Sequence, residues 1–257
     1  MKNMKSKLLI FSTLVLVIAL VLGISGCKKE EEKTTLIMGT EASFPPFEFT
    51  DENNEPIGFD VDLARAVAEE MGLELEVRDQ PFDGLIGALQ ANQIDIVAAG
   101  MTITPERQET VAFSNPYYNA KQSVIVRAGE NLVTSMEDLA NLNIAVQMGT
   151  TGAAKAEEIK GTADDTSLKQ YEKVNEAFME LTNGRVDAII IDVPVGSSYM
   201  KQFEGLEVVE AIDFEDEQFG IAVRKDNEEL LNDVNTALDN IMSSGKYDEL
   251  IQKWFGQ

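Results

Sequence analysis

The sequence predicts an α/β protein in which one strand–helix–strand step is built twice, in two similar lobes. Two observations carry this. Segments with the apolar period of a helix alternate with short branched runs between Leu36 and Phe255, the order expected of parallel sheets covered by helices. In addition, "LQANQIDIVAAG" (Leu89–Gly100) and "LTNGRVDAIIID" (Leu181–Asp192) share a helix end, a turn with Asn or Gly, a branched residue before Asp, and an apolar strand. These echoes lie too far apart for a solenoid repeat. In open sheets, ligands bind beyond the carboxyl ends of the strands. Gly100 and Asp192, the last matched pair, are therefore expected at corresponding places, both on one cleft if the lobes face each other.

At the N-terminus, Lys2, Lys5 and Lys7 precede an uncharged apolar run from Leu8 to Leu22 that ends in Ile24-Ser25-Gly26-Cys27. A charged start, a short apolar middle and small residues before a cut site read as a secretory signal over residues 1–26. The run is shorter than the ~20 residues a spanning helix needs; an uncleaved anchor is the alternative. Cys27 is the only cysteine, so no intramolecular disulfide can form. The segment resembles a bacterial lipoprotein signal, which implies cleavage before Cys27 and lipid on its thiol; a free cysteine in a tail is the other reading. Residues 27–34 are charged and aperiodic, a tether. The formal charge of -24, borne by a body that loses three lysines with the signal, disfavours nucleic acid and anionic membrane surfaces as partners.

The folded body starts with a strand at Leu36–Met38. In "TEASFPPFEF" (Thr40–Phe49), Pro45 and Pro46 remove backbone donors and force extended geometry, giving a rigid loop able to hold a ring. "DENNEP" has alternate acids like a calcium loop, but Pro56 stands where the sixth-position glycine belongs and no glutamate fills the twelfth; it reads as a hairpin turn. Val61, Ala64, Val67, Ala68 and Met71 make a helical face closed by Gly72, and Leu73–Val77 alternates as a strand. "FDGLIGALQANQ" is a second helix feeding a strand at Ile94–Ala99. Strands at Ser123–Val126, Ile144–Val146 and Ala188–Ile191, a helix at Val174–Leu181 and one last helix within Glu228–Phe255 complete the pattern.

The strand ends carry the candidate chemistry. After the strand at Ile94–Ala99, Thr104 suits an N-cap and Pro105 the first helical position, which puts Arg107 in the first turn against the helix dipole. That placement calls for an anionic partner, and a guanidinium grips a carboxylate through two parallel hydrogen bonds; pairing with Glu109 at the surface is the alternative. "VQMGTTGAAKAEE" repeats the grammar: strand, glycine, two threonines, helix. Its first amides and the hydroxyls of Thr150 and Thr151 could meet an anion, but it lacks the Gly-Lys-Ser/Thr of a phosphate loop. Asp192 ends an apolar strand, either as a turn former or as a receptor for a cation. Together Arg107, Thr151 and Asp192 offer an anion clamp and a cation acceptor, which suits an α-amino acid zwitterion. With no histidine and its one cysteine at residue 27, the chain points away from metal sites, cofactors and nucleophilic catalysis, while dispersed carboxylates leave acid–base chemistry open.

"TEASFPPFEF", "GFDVDLARAVAEEMG", "PFDGLIGALQ", "GMTITPERQETVAFSNPYY", "AVQMGTTG", "DAIIIDVP" and "YDELIQKWFG" together resemble family 3 extracellular solute-binding proteins, which feed polar amino acids to ABC importers. The match runs from about Leu36 to Gly256 with its motifs in order. The resemblance implies a two-lobed periplasmic-binding-protein-like fold of type II with two hinge strands and a ligand cleft between lobes. Lobe 1 would comprise 35–116 and 220–257, lobe 2 would comprise 122–214, and 117–121 with 215–219 would be the hinges. It implies a monomer and a binding protein, not an enzyme, that lies outside the cytoplasm on the outer face of the cell membrane or in a periplasm. Its partners would be a free L-amino acid and ABC permease subunits. Use as a ligand sensor, or as a small-acid dehydratase on the same scaffold, are the alternatives.

By the same resemblance Arg107 grips the α-carboxylate, helped by Thr102, Thr150, Thr151 and the backbone at Ala99 and Gly100. Asp192 takes the α-ammonium. Phe44 and Phe82 sandwich the ligand side chain beside Glu41, whereas Phe47 and Phe49 are core and strand residues. Relatives that bind glutamine or basic amino acids often have aspartate at position 41, and the glutamine binders have lysine and histidine where this chain has Gln147 and Ile191. Glu41, Gln147 and two aromatic faces suit a cationic side chain through ion pairing and cation–π contact worth ~0.5–2 kcal/mol. Arginine or lysine is the expected ligand, with glutamine second.

Overall fold

The computed structural model describes residues 34–162 and 166–256. The expected signal segment, Cys27 and residues 28–33 of the tether lie outside the described residues. Strand β1 (Thr35–Thr40) realises the apolar run after the tether. The segment that follows folds into a small antiparallel sheet of β2 (Ser43–Phe44), β3 (Glu48–Thr50) and β4 (Pro56–Ile57). Its β3–β4 turn is the expected hairpin: Asp51 Oδ1 accepts from the amides of Asn53 and Glu55 at 2.8 and 2.9 Å.

Helix α1 (Phe59–Glu70) buries Val61, Ala64, Val67 and Ala68 of the expected face, along with Phe59, Asp60, Leu63 and Ala66, while Met71 caps its end and is only partly buried. Strand β5 (Glu74–Asp79) follows. The next helix differs from expectation at its start: Phe82–Gly84 is a 3-10 turn, and α2 covers Leu85–Gln90. Strand β6 is only Ile96–Val97, because the chain leaves the sheet through Ala98 and Ala99 to Gly100, which sits at φ 52°. Helix α3 (Pro105–Gln108) is a single turn, and β7 (Val111–Phe113) follows.

The second lobe opens with β8 (Tyr118–Arg127), longer than the expected Ser123–Val126. It continues through α4 (Met136–Leu139), β9 (Ile144–Gln147), α5 (Thr151–Lys160), β10 (Leu168–Tyr171), α6 (Val174–Thr182), β11 (Ala188–Asp192), α7 (Val193–Met200) and β12 (Leu206–Val208). Strands β13 (Asp216–Phe219) and β14 (Ala222–Arg224) return the chain to the first sheet. The single terminal helix expected from the sequence is two helices, α8 (Glu228–Ser243) and α9 (Lys246–Phe255). Gly245 separates them at φ 83°, a backbone conformation that glycine adopts without steric cost.

The sheets are ordered β5-β1-β6-β14-β7 and β10-β9-β11-β8-β12. They are mixed, a correction to the parallel sheets expected. In the first, β1 runs parallel to β5 and β6 while β14 opposes β6 and β7. In the second, β9 runs parallel to β10 and β11 while β8 opposes β11 and β12. The antiparallel members arise from the chain crossing between sheets: β8 and β13 are the two crossing strands and pair with each other, Lys121 opposite Asp216 and Tyr118 opposite Phe219.

Alternation along the central strands fills both faces. Ile125, Ile189 and Ile191 join one core that also contains Leu36, Met38, Phe47 and Phe59. Their neighbours Val124, Val126, Ala188 and Ile190 face the other side of the second sheet, and Val97 and Ala99 do the same in the first. Phe47 is fully buried, its ring edge-on to Tyr118, Phe219 and Phe255 at 4.9–5.2 Å between centroids, as expected of a core residue.

The internal echo has a physical counterpart. Asp95 Oδ2 accepts from the Ile37 amide at 2.8 Å, and Asp187 Oδ2, its match, accepts from the Asn143 amide at 2.8 Å. Each aspartate also returns a backbone bond, Asp95 N to Ile37 O at 2.8 Å and Asp187 N to Asn143 O at 2.7 Å. The equivalent acid thus ties the start of β6 to β1 and the start of β11 to the residue before β9.

Candidate functional site

Between the carboxyl ends of β6 and β11 lies a narrow cavity. Its lining contains all eleven residues singled out from the sequence: Glu41, Phe44, Phe82, Ala99, Gly100, Thr102, Arg107, Gln147, Thr150, Thr151 and Asp192. The structure adds Glu48. Gly100 and Asp192, the ends of the echo, face the same space.

Gly100 shows why the loop after β6 needs glycine. At its φ of 52° an added Cβ would stand 2.8 Å from the Phe44 ring. The Gly100 amide donates to Asp60 Oδ2 at 2.7 Å, and the Tyr117 hydroxyl donates to the same oxygen at 2.5 Å. Helix α1 and the start of the β8 crossing therefore fix this turn together.

Thr104 accepts from the Arg107 amide at 3.2 Å and Pro105 occupies the first helical turn, both as expected. The dipole argument lapses, since a four-residue helix makes Arg107 a member of its last turn too. The guanidinium is instead aimed by carbonyls: Nη1 donates to Thr102 O at 2.8 Å and Nη2 to Gly149 O at 3.0 Å. It lies over Phe82, 5.4 Å from the ring centroid. Burial lowers its pKa from the ordinary value, while Glu217, Glu106 and Asp192 act to raise it.

Asp192 is 6% exposed and makes no capping bond at the start of α7, so the turn-former reading is not realised. Its Oδ1 is buried without a hydrogen-bond partner. Burial, then the nearby charge of Glu217, pushes its pKa up to about 7, against lowering by the Gln122 side chain and Arg107. A buried acid in that state gains most from a cation placed against it.

Glu41 also lines the cavity. Its Oε2 accepts from Ser43 Oγ and from Gln147 Nε2, each at 2.7 Å, and its Oε1 has no partner. Burial raises its pKa, partly offset by these two bonds. Gln147 Nε2 also donates to Glu172 O at 3.0 Å. Both amide donors are thereby committed, leaving the Gln147 carbonyl oxygen as an acceptor.

Three hydroxyls differ from expectation. Thr150 caps α5, accepting from Ala153 N at 3.1 Å and donating to Gln147 O at 2.8 Å, so its proton is already placed. Thr102 and Thr151 each donate to Glu217 Oε2 at 2.8 Å. Glu217 and Glu48 are the two acids that sequence reasoning missed. Glu217 sits among five acids in "EAIDFEDE" and "Q", with no local signal to separate it; only the β8–β13 pairing selects it. Glu48 lies between two rings, and the alternation of β3 was the available signal. It is 1% exposed and stands beside the carboxyl of Asp60. Burial, reinforced by Asp60 and Glu41, pushes its pKa well above the carboxylate range, and burial pushes Asp60 up to about 6.

Among the described residues no cluster of His, Cys, Asp and Glu is arranged to hold a metal ion, and no helix is long and apolar enough to cross a membrane. The arrangement offers one cation and several buried carboxyls around a space flanked by two rings. It can hold a small molecule that carries an anion and more than one positive group.

Residues 36–257 match the family model described as bacterial extracellular solute-binding proteins, family 3. A relative from Escherichia coli (strain K12), a putative ABC transporter arginine-binding protein 2, is 36% identical over 94% of this chain and 98% of its own. An ancestral arginine-binding protein solved with arginine has a TM-score of 0.81 at 44% identity, covering 87% of this chain and 99% of that one. An ancestral arginine-binding protein solved with glutamine has a TM-score of 0.80 at 44% identity, covering 88% and 99%.

Proposed function

The chain belongs to the bacterial extracellular solute-binding proteins of family 3, and on that premise we propose that it captures a basic amino acid, arginine or lysine, for an ABC importer. The observation that carries the proposal is the opposition, within one cavity, of the Arg107 guanidinium and the carboxyls of Asp192 and Glu41. Arg107 and the first amides of α5 receive the α-carboxylate, since a helix start leaves its amides unpaired within the helix. Asp192 receives the α-ammonium at Oδ1. Phe44 and Phe82 flank the side chain, whose distal cation meets Glu41 Oε1 and the Gln147 carbonyl oxygen, the acceptors left open at that end.

Binding proceeds by closure of two lobes, 35–116 with 220–257 and 122–214, about the crossings at 117–121 and 215–219. The protein acts as a monomer, anchored by lipid on Cys27 to the outer face of the cell membrane and delivering its ligand to permease subunits without chemical turnover. Names of relatives support the ligand class, the E. coli relative being called arginine-binding. Glutamine is the second reading, favoured by an ancestral arginine-binding protein having been solved with glutamine.

Mass spectrometry of whatever co-purifies, followed by calorimetry on the stripped protein across the common amino acids, tests this. Arginine or lysine is expected to bind most tightly. Tight binding of glutamate or aspartate, with none of arginine or lysine, overturns it.

A further inference from the structure

Glu217 stands on a crossing strand, where its backbone pairs with Ala120 of β8. Its Oε2 receives two hydroxyl protons, from Thr102 and from Thr151, both at 2.8 Å. Those threonines come from different parts of the chain. Thr102 follows β6 of the first sheet and bridges to Phe219, whereas Thr151 is the first residue of α5 against the second sheet. A threonine hydroxyl has a single proton, so both side chains are oriented by the same carboxylate oxygen. Gln122 Nε2 donates to Thr151 Oγ1 at 3.3 Å from the other side, which completes a chain from β8 through α5 to β13. Arg107 repeats the same span with its bonds to Thr102 O and Gly149 O. All of these bonds join protein atoms.

We propose that Glu217 is a positioning residue for the α-carboxylate subsite: through Thr102 and Thr151 it clasps the two lobes over the cavity, so that Arg107 and the start of α5 stand in place together. This rests on the amino-acid reading above and deepens it. A binding-competent arrangement that is only partly populated weakens apparent affinity by the populated fraction. A clasp that raises that fraction strengthens every ligand with an α-carboxylate alike. The residue therefore governs affinity and leaves the order of preference among side chains to Glu41 and Gln147.

The test pairs two variants with two readouts. Glu217→Gln keeps a side-chain oxygen able to accept both hydroxyls, and Glu217→Ala removes it. Calorimetry is expected to show arginine and lysine both weakened about 10- to 100-fold in Glu217→Ala, as the populated fraction of the competent arrangement falls by that factor, while Glu217→Gln stays within about 5-fold. Small-angle scattering of the ligand-stripped proteins is expected to show Glu217→Ala more extended than wild type or Glu217→Gln, and arginine is expected to restore its dimensions. Unchanged or tighter binding by Glu217→Ala, or scattering that does not distinguish it from wild type, overturns the proposal. If wild type binds no amino acid, the functional reading has failed, and the scattering comparison still decides whether Glu217 joins the lobes.

Discussion

Gln147 Nε2 lies 2.7 Å from Glu41 Oε2, and this contact joins the loop after β1 to the end of β9 at the cavity. It aims a carboxylate that also keeps one oxygen, Oε1, without a partner. In the proposed binding mode Glu41 discriminates between charged and neutral side chains. Replacing it by glutamine retains an acceptor for Ser43 but removes the charge. Truncating one side of a buried charged contact costs about 2–5 kcal/mol, and the isosteric change removes a smaller share. Glu41→Gln is expected to lower the arginine-to-glutamine affinity ratio about 10- to 100-fold by calorimetry, with an unchanged ratio making Glu41 a bystander.

Arg107 and Asp192 answer to a different change. In the proposed binding mode each is a charged partner of the zwitterion's backbone groups, so its removal is expected to weaken all amino acids. Losing one member of a buried charge pair costs about 3–5 kcal/mol, beyond the range of ordinary titration for a micromolar binder. Arg107→Ala and Asp192→Ala are expected to abolish detectable binding of arginine and glutamine alike. Circular dichroism is expected to stay native, since α3 buries none of its residues in the core and Asp192 makes no capping bond.

The residues that proved legible from the sequence were those at the ends of recognisable elements. Arg107 was marked by Thr104 and Pro105, Asp192 by the apolar run before it and by its match to Gly100, and Thr151 by the helix start. Each is a position where a strand or helix boundary, a local property, sets the side chain at the cavity. Glu217 has no such mark, because its importance arises from Thr102 and Thr151, partners 115 and 66 residues away. The mixed sheets were hidden for a related reason: strand direction follows from where the chain crosses, and β8 and β13, which pair, are separated in sequence by β9 to β12. The break at Gly245 was a local signal, a glycine inside an apolar helical pattern, whose weight was overridden by the strong period on either side.

Gly100 supplies a prediction about shape. At its φ of 52° a side chain is strained, and a Cβ would stand 2.8 Å from the Phe44 ring. A residue held in this region costs about 1–3 kcal/mol. Gly100→Ala is therefore expected to lower the melting temperature by several degrees and to weaken arginine binding, since relief of the contact displaces Phe44 from the cavity wall. Normal affinity in a protein that melts normally would show the loop to be tolerant.

The carboxyls give the pH dependence, and its sign differs between the free and loaded protein. Asp192 is held at about 7 and Asp60 at about 6, both above the usual carboxylate range and chiefly through burial. The folded protein thus binds more protons than the unfolded chain between about pH 4 and 7. Stability from these two groups is fully present below their unfolded pKa values and is lost as pH rises through the folded ones. The melting temperature of the stripped protein is expected to fall from pH 5 to pH 8. Ligand binding runs the other way, because an α-ammonium favours the ionised Asp192 and expels its proton. Arginine affinity is expected to rise with pH, by up to about tenfold per unit below pH 7, and to level off above it. Calorimetry in buffers of different ionisation enthalpy at pH 6 is expected to register proton release on binding. Affinity that is flat from pH 5 to 8, with no proton released, would mean that Asp192 is already ionised in the free protein and that burial does not govern it.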